Sequence, residues 1–301
     1  GYELDELGLL KNDCLATKEL SKIHQTLDLV NTVYHQDITL EKLATGSLDD
    51  EKVYEVLANG CTQNVFQFSS HGITKFLTEM KPSNIGDLIA ANALYRPATM
   101  GNLDDYVNCK KGLVAPIYLW GTYNSLKDTF GLVVFQEQIV MMAREVGGFS
   151  LGEGVKLVKF VSKKKTDKIR AMKDKFMAGA KKNGCPQEDA DKIWAQIEAA
   201  GTYCFNKSHA TAYAVTAYAG AWLKVHYPTA FYTVALQWAD DNELVALMGE
   251  MEAISNAKVV PPDINVSEDI FHTDYNTNEI FWSISRIKQL GAKAVQWIMD
   301  E

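Results

Sequence analysis

The stretch from Asn206 to Pro228 leaves this chain the least freedom. Apolar and small residues run from Ala210 through Trp222-Leu223-Lys224 to His226-Tyr227-Pro228, and the only proline stands at the end. That pattern reads as one long helix. Asn206 or Ser208 is suited to cap it, because a short side-chain oxygen accepts one of the first unpaired backbone N–H groups. Lys207, Ser208 and His209 then stand at the positive end of the helix, where a phosphate is favoured. Tyr213 follows His209 by four residues and shares its face. A cation, a hydroxyl, an imidazole and an aromatic ring in this arrangement can hold a nucleotide. The same residues also suit an ordinary capped core helix, and on their own they leave both readings open.

Composition sets the outer bounds. With 301 residues, 47% hydrophobic and 23% charged, the chain has the make-up of one large globular domain or two. No run of about 18 apolar residues occurs, so no membrane span is indicated, and no basic-then-apolar leader stands at the start. The five cysteines, Cys14, Cys61, Cys109, Cys185 and Cys204, form no CxxC pair. Their spacing fits neither a zinc site nor a disulfide framework, which points to reduced thiols in a cytosol. A net charge of −8 argues against nucleic acid, but its distribution does not. From Lys156 to Lys182 eleven basic residues face only two acids, Asp167 and Asp174, a local charge of +9. A basic block in an acidic chain is an electrostatic footprint for a polyanion, or else a solvated helix face.

Taken in order, residues 18–36 predict an amphipathic helix with Leu20, Ile23, Leu27 and Val30 on one face. Ser47-Leu48-Asp49-Asp50 signals the start of a helix over 51–58, which makes Asp49 and Asp50 capping acids rather than catalytic ones. A helix over 85–95 ends at Pro97, leaving Arg96 an exposed cation at the break. Residues 131–147 are strongly apolar around Gln136-Glu137-Gln138, with Met141 and Met142 as core filling. Helices follow over 151–161, where Lys156 and Lys159 share a face, over 190–200, from Pro228 to Asp240 and over 241–256, the last ended by Val259-Val260-Pro261-Pro262. A β-hairpin centred on Asn276-Thr277-Asn278 is predicted within 264–285. If residues 9–13 form a strand, Lys11 and Asp13 project to one side, a pair suited to a metal-bound triphosphate or to a surface ion pair.

Asn-Lys-Ser-His followed by Ala-Tyr, then Trp-Leu-Lys-x-His-Tyr-Pro, resembles the fingers of the alpha subunit of bacterial DNA polymerase III, a C-family replicative polymerase. Gly8-Leu9-Leu10-Lys11-Asn12-Asp13, Val65-Phe66-Gln67-Phe68, Tyr95-Arg96-Pro97, Gln136-Glu137-Gln138, Lys163-Lys164-Lys165 and Pro261-Pro262-Asp263-Ile264-Asn265 follow in that family's order and at similar spacings. The sequence departs from the pattern in places. Cys14 and Ala16 stand for Phe and Gly, Ala98-Thr99 for Gly-Pro, Val158-Lys159 for a paired Arg-Arg, and the usual Glu near Ser69 or Ser70 is missing. Lys159 keeps one cation but not the bidentate fork. Cys204 stands for Gly, and Tyr203-Cys204-Phe205-Asn206 resembles the junction at which some members are interrupted by an intein; a small buried residue exchanged for another gives the same letters.

The resemblance implies a mainly α chain. It assigns the C-terminal edge of a palm, a short β edge, to residues 1–20 and the fingers to 21–285 with a small β-hairpin. The start of an incomplete helix-hairpin-helix falls at 286–301, from Ile287-Lys288-Gln289-Leu290-Gly291 onward. It implies nucleotidyl transfer from a dNTP to a primer 3′-hydroxyl with two Mg²⁺ ions. Asp13 is then the catalytic metal ligand. Lys11, Lys159, Lys163, Asn206, Lys207, Ser208 and His209 serve the nucleotide, and Tyr213 packs on the incoming base pair. Lys164, Lys165, Lys168 and Arg170 serve DNA. The family's other two palm aspartates form an Asp-x-Asp pair, and no equivalent is found in this chain. The expectation is therefore a truncated piece, or a split-gene product that pairs with a palm-bearing chain. Its partners would be primer-template DNA and dNTP, with a sliding clamp reached through other regions, in the cytoplasm of a bacterium or a phage-infected bacterium. The alternative is a non-catalytic DNA-binding or scaffold protein on the fingers fold.

Overall fold

Helices dominate, as the apolar spacing requires. The computed structural model describes residues 7–9, 17–97, 99–201 and 203–300, with fifteen α-helices and one three-stranded sheet among them. Lys11, Asp13 and most of the expected palm edge lie outside the described residues. The chain divides into two compact units, Glu41–His226 and the described residues of Gly1–Leu40 with Tyr227–Glu301.

In the larger unit, α2 (Leu40–Thr45) leads to α3 (Glu51–Ala58), α4 (His71–Met80), α5 (Ile85–Leu94), α6 (Leu103–Lys110) and the short α7 (Tyr123–Leu126). Then come α8 (Gln136–Glu145), α9 (Leu151–Ser162), α10 (Thr166–Lys182), α11 (Gln187–Ala200) and α12 (Lys207–His226). Two apolar cores result. In the first, α12 presents Ala210, Ala214, Ala217 and Ala221, a row of small residues that lets α5 lie close along it. Leu57, Phe68, Leu77 and Leu88 complete that core. Lys224 is buried there, and its charge is met by the carbonyls of Cys61 at 3.0 Å and Gln63 at 2.6 Å. The second core joins Ile139 and Met142 of α8, Leu157 of α9, Phe176 of α10, and Ile193 and Trp194 of α11. Met142 is fully buried and Met141 half-buried, in keeping with a packing role. The approach of α10 needs a glycine, because a Cβ on Gly179 would lie 1.9 Å from the Gly147 carbonyl oxygen.

Caps set the helix starts. Asp50 accepts the Lys52 N–H at 3.0 Å and contacts His226 Nε2 at 2.6 Å, which ties the start of α3 to the end of α12. Ser150 and Glu153 cap α9 reciprocally.

In the smaller unit, α1 (Lys18–Val33) packs on α13 (Pro228–Trp238), followed by α14 (Asp241–Ile254) and, near the end, α15 (Ala292–Asp300). Helix α1 buries Ile23, Thr26, Leu27 and Val30, but Leu20 is 40% exposed; the apolar face is one turn shorter than the periodicity implies. The expected hairpin is present, with β2 (His272–Asp274) antiparallel to β3 (Glu279–Phe281). Asn278 supplies a left-handed turn residue at φ 59°. The residues before Pro261 are a strand and not a helix tail. They form β1 (Lys258–Val260), parallel to β3, in the order β1-β3-β2.

Candidate functional site

The start of α12 is assembled from two chain segments that lie side by side at the seam between the two cores. Phe205 N–H donates to Val134 O at 3.1 Å and Gln136 N–H to Phe205 O at 2.9 Å, a one-residue parallel bridge between Phe135 and Phe205. The bridge brings the N-termini of α8 and α12 together. Two positive helix ends attract an acid. Glu137 is that acid: one carboxylate oxygen accepts the Lys207 backbone N–H at 2.9 Å and the other the Asn206 amide at 3.0 Å. Asn206 is the N-cap, its Oδ1 accepting the His209 N–H at 2.8 Å. Ser208 is exposed and does not cap. Beneath, the buried Gln138 side chain accepts from the N–H groups of Val134 and Phe135, both at 2.8 Å, and donates to Thr129 Oγ1 at 2.6 Å. Gln136-Glu137-Gln138 is thus the element that fixes this corner.

A continuous stack runs across it. The Arg96 guanidinium carbon lies 3.7 Å from the centre of the Phe205 ring. Phe205 meets the edge of His209 at 5.2 Å, His209 lies on Tyr213 at 4.1 Å, and Tyr213 lies on Phe66 at 4.9 Å. Tyr213 is half-buried between His209 and Phe66. The Lys207 ammonium sits 5.5 Å from the Phe135 ring centre and 4.0 Å from Asp128. It faces a cavity of about 390 Å³ lined also by Lys127, Asp128, Phe130 and Phe135. A shallower depression beside it is lined by Glu137, Lys207, Ser208 and Thr211. Cys204 is buried, its Sγ 3.6 Å from Val133 O. Burial, and secondarily the Glu137 charge, push its thiol up to about 12, so it is not a nucleophile.

The basic block divides between two helices and a turn. Lys156 and Lys159 are exposed on α9; Lys163, Lys164 and Lys165 form the exposed turn into α10, with Lys164 at a left-handed φ of 50°. None of these three has a carboxylate partner among the described residues. Lys168 lies 5.1 Å from the Phe160 ring centre, Arg170 is exposed, and Lys175 pairs with Glu153. The structure therefore brings Asn206, Lys207, Ser208, His209 and Tyr213 together at the start of α12, and Lys163, Lys164, Lys165, Lys168 and Arg170 at the start of α10. No hydrogen bond, ion pair or ring contact among the described residues joins Lys159 or Lys163 to the α12 group. Lys11 and Asp13 lie outside the described residues.

An Asp-x-Asp is in fact present, at Asp189-Ala190-Asp191, but within helix α11. Asp189 accepts the Trp120 N–H at 3.1 Å and Asp191 the Gln187 amide at 3.1 Å. Residues two apart on a helix do not face each other, so this is not a pair of metal carboxylates. Among the described residues no group of three His, Cys, Asp or Glu side chains is placed to hold a metal ion, and this part of the chain does not by itself fit a two-metal centre. Glu137, Phe205 and Phe66 do not stand out as site residues in the sequence, because their roles depend on partners far along the chain. Among the described residues no helix is long and apolar enough to cross a membrane.

Residues 19–184 match the family model described as bacterial DNA polymerase III alpha subunit finger domain. Across 99% of its length the chain is 37% identical to the DNA polymerase III subunit alpha of Aquifex aeolicus, 36% to that of Borreliella burgdorferi and 32% to that of Thermus aquaticus. It covers 26%, 26% and 25% of those proteins, about a quarter of their length.

Proposed function

Because the chain belongs to the finger-domain family of bacterial DNA polymerase III alpha subunits, we propose that it serves DNA synthesis as fingers, binding primer-template DNA and the triphosphate of an incoming dNTP. The observation that carries this reading is the lysine turn. Lys163, Lys164 and Lys165 are exposed together without carboxylate partners among the described residues, in a chain whose net charge is −8. Three like charges on one exposed turn repel one another weakly in water, and together they attract a polyanion. Lys168 and Arg170 extend the surface along α10 toward DNA backbone. Lys159 and Lys163 take triphosphate oxygens. Asn206, Lys207, Ser208 and His209 line the nucleotide end of α12, and Tyr213 supports the base pair through its stack. Lys11 would contact phosphate, and Asp13 would hold Mg²⁺ together with carboxylates of the palm, so that synthesis requires a palm-bearing segment or chain. Clamp contacts belong to regions other than these residues.

The test is charge reversal. In Lys163→Glu/Lys164→Glu/Lys165→Glu, affinity for a fluorescein-labelled primer-template should fall, and the slope of log affinity against log salt should lessen by about 0.9 for each phosphate no longer neutralised. An unchanged affinity and slope would return the block to a solvated surface. The alternative is a non-catalytic DNA-binding scaffold on the fingers fold. It predicts the same binding but no contribution to synthesis.

A further inference from the structure

We infer that Arg96 is a phosphate-binding residue, held against the ring stack at the start of α12; the inference rests on the polynucleotide- and triphosphate-binding reading above. Arg96 follows the end of α5 and is exposed. Its Nε donates to the Asn92 carbonyl at 3.2 Å, and its guanidinium carbon lies 3.7 Å from the Phe205 ring centre. Those two contacts fix the plane of the group. They leave the four Nη hydrogens without a hydrogen bond or carboxylate among the described residues. A guanidinium with its rotamer already settled and its outer edge unfilled takes a phosphate bidentately, with little further loss of side-chain entropy.

The surroundings single this cation out. Glu137 and Asn206 already occupy the N–H groups of Lys207 and His209, so the helix end is partly neutralised. Of the other cations near this corner, Lys207 lies 4.0 Å from Asp128 and Lys127 lines the cavity that Lys207 faces, away from the stack contacts. Arg96 is the cation in direct contact with the stack that continues through His209 to Tyr213. The platform beneath it does not move freely, because both backbone polar groups of Phe205 are engaged in the bridge to Val134 and Gln136. The ligand is a phosphate group, from either the triphosphate of a nucleotide or the backbone of a primer-template. The rival role is structural, a cap on the last carbonyls of α5.

The experiment compares the 301-residue chain with Arg96→Gln, Arg96→Lys and the triple lysine-to-glutamate variant. Binding of a fluorescein-labelled primer-template is followed by anisotropy from about 50 to 200 mM salt, binding of dATP with Mg²⁺ by equilibrium dialysis, and folding by thermal melts. A backbone contact appears as about a ten-fold loss of DNA affinity in Arg96→Gln, with the salt slope lower by about 1. A triphosphate contact appears instead as about a ten-fold loss for dATP with DNA binding unchanged. Arg96→Lys should recover only part of either loss, because it lacks the fork. The inference is overturned if the triple variant weakens binding while both Arg96 variants match the parent on both probes. It is also overturned if affinity falls only in step with the melting temperature. If the triple variant too matches the parent, or the parent binds neither probe, the broader binding reading fails, and this one with it.

Discussion

At the scale of single residues, function and stability turn on which partners each side chain already holds. Tyr213 has Phe66 and His209 against its ring. Aromatic pairs contribute roughly 0.5–1.5 kcal/mol each beyond buried area, so Tyr213→Ala should cost on the order of 1–3 kcal/mol of stability. In a unit of this size that lowers the melting temperature by about 2–10 °C. Tyr213→Phe keeps both ring partners and should stay within about 0.5 kcal/mol of the parent. Equal melts for Ala and parent would mean that the stack contributes nothing to the fold. Asp50 gives a pH-dependent counterpart. Burial pushes its carboxyl up, but the hydrogen bonds from His226 and from the Lys52 amide outweigh that and hold it below the ordinary carboxylate range. A depressed folded pKa means stability that is present above the unfolded value and lost as pH falls through the folded one. Asn also caps helices well. Asp50→Asn should therefore melt lower than the parent near neutrality, and the gap should close as pH falls below about 4. A gap that stays constant from pH 7 to pH 3 would contradict this. Cys204 should resist iodoacetamide at pH 8 in the folded chain and react only on denaturation, as a buried thiol raised to about 12 requires. Mass spectrometry of the native chain reads this directly, and labelling of Cys204 ahead of the half-buried Cys61 and Cys109 would refute it.

At the scale of elements, glycines separate packing from propensity. Gly179 in α10 has no room for a methyl group against Gly147, whereas Gly249 in α14 has nothing within 4 Å of where a Cβ would stand. Gly249→Ala should stabilise by about 0.5–1 kcal/mol through helix propensity. Gly179→Ala should destabilise by about 1–3 kcal/mol or more through overpacking. Denaturant titration gives both signs, and two stabilising substitutions would show that α10 does not pack as closely as described. Much of this layout was legible from the letters. Asp50 and Pro228 mark helix starts by local chemistry, and the Asn276-Thr277-Asn278 turn marks a hairpin. What stayed hidden depends on distance along the chain. The register of Lys258–Val260 against Glu279–Phe281 crosses about twenty residues, so a strand before two prolines reads as a helix ending. Glu137 meets Asn206 and Lys207 across about seventy, so the acid at the start of α12 is read only as part of an apolar stretch. Leu20 fits the apolar period but is left exposed on that turn.

At the scale of the whole molecule, charge and family membership point the same way. An acidic chain concentrates +9 between Lys156 and Lys182 and exposes its centre at the turn into α10. Among the described residues no group of side chains is placed to hold a metal ion, and in the proposed function that role falls to Asp13 together with carboxylates of the palm. The grouping of cap, cation and ring at the start of α12 was legible because they fall within eight residues. Their stack with Arg96 and Phe66 was not, since it draws on positions more than a hundred residues earlier. The measurement closest to the central claim is primer extension by the chain mixed with a palm-bearing polymerase segment, in the presence of Mg²⁺ and all four dNTPs. The expected result is synthesis by the mixture, none by either part alone, and none when the chain carries Asp13→Asn. Mg²⁺-dependent synthesis by the chain alone, or undiminished synthesis by the mixture containing Asp13→Asn, would contradict the assignment.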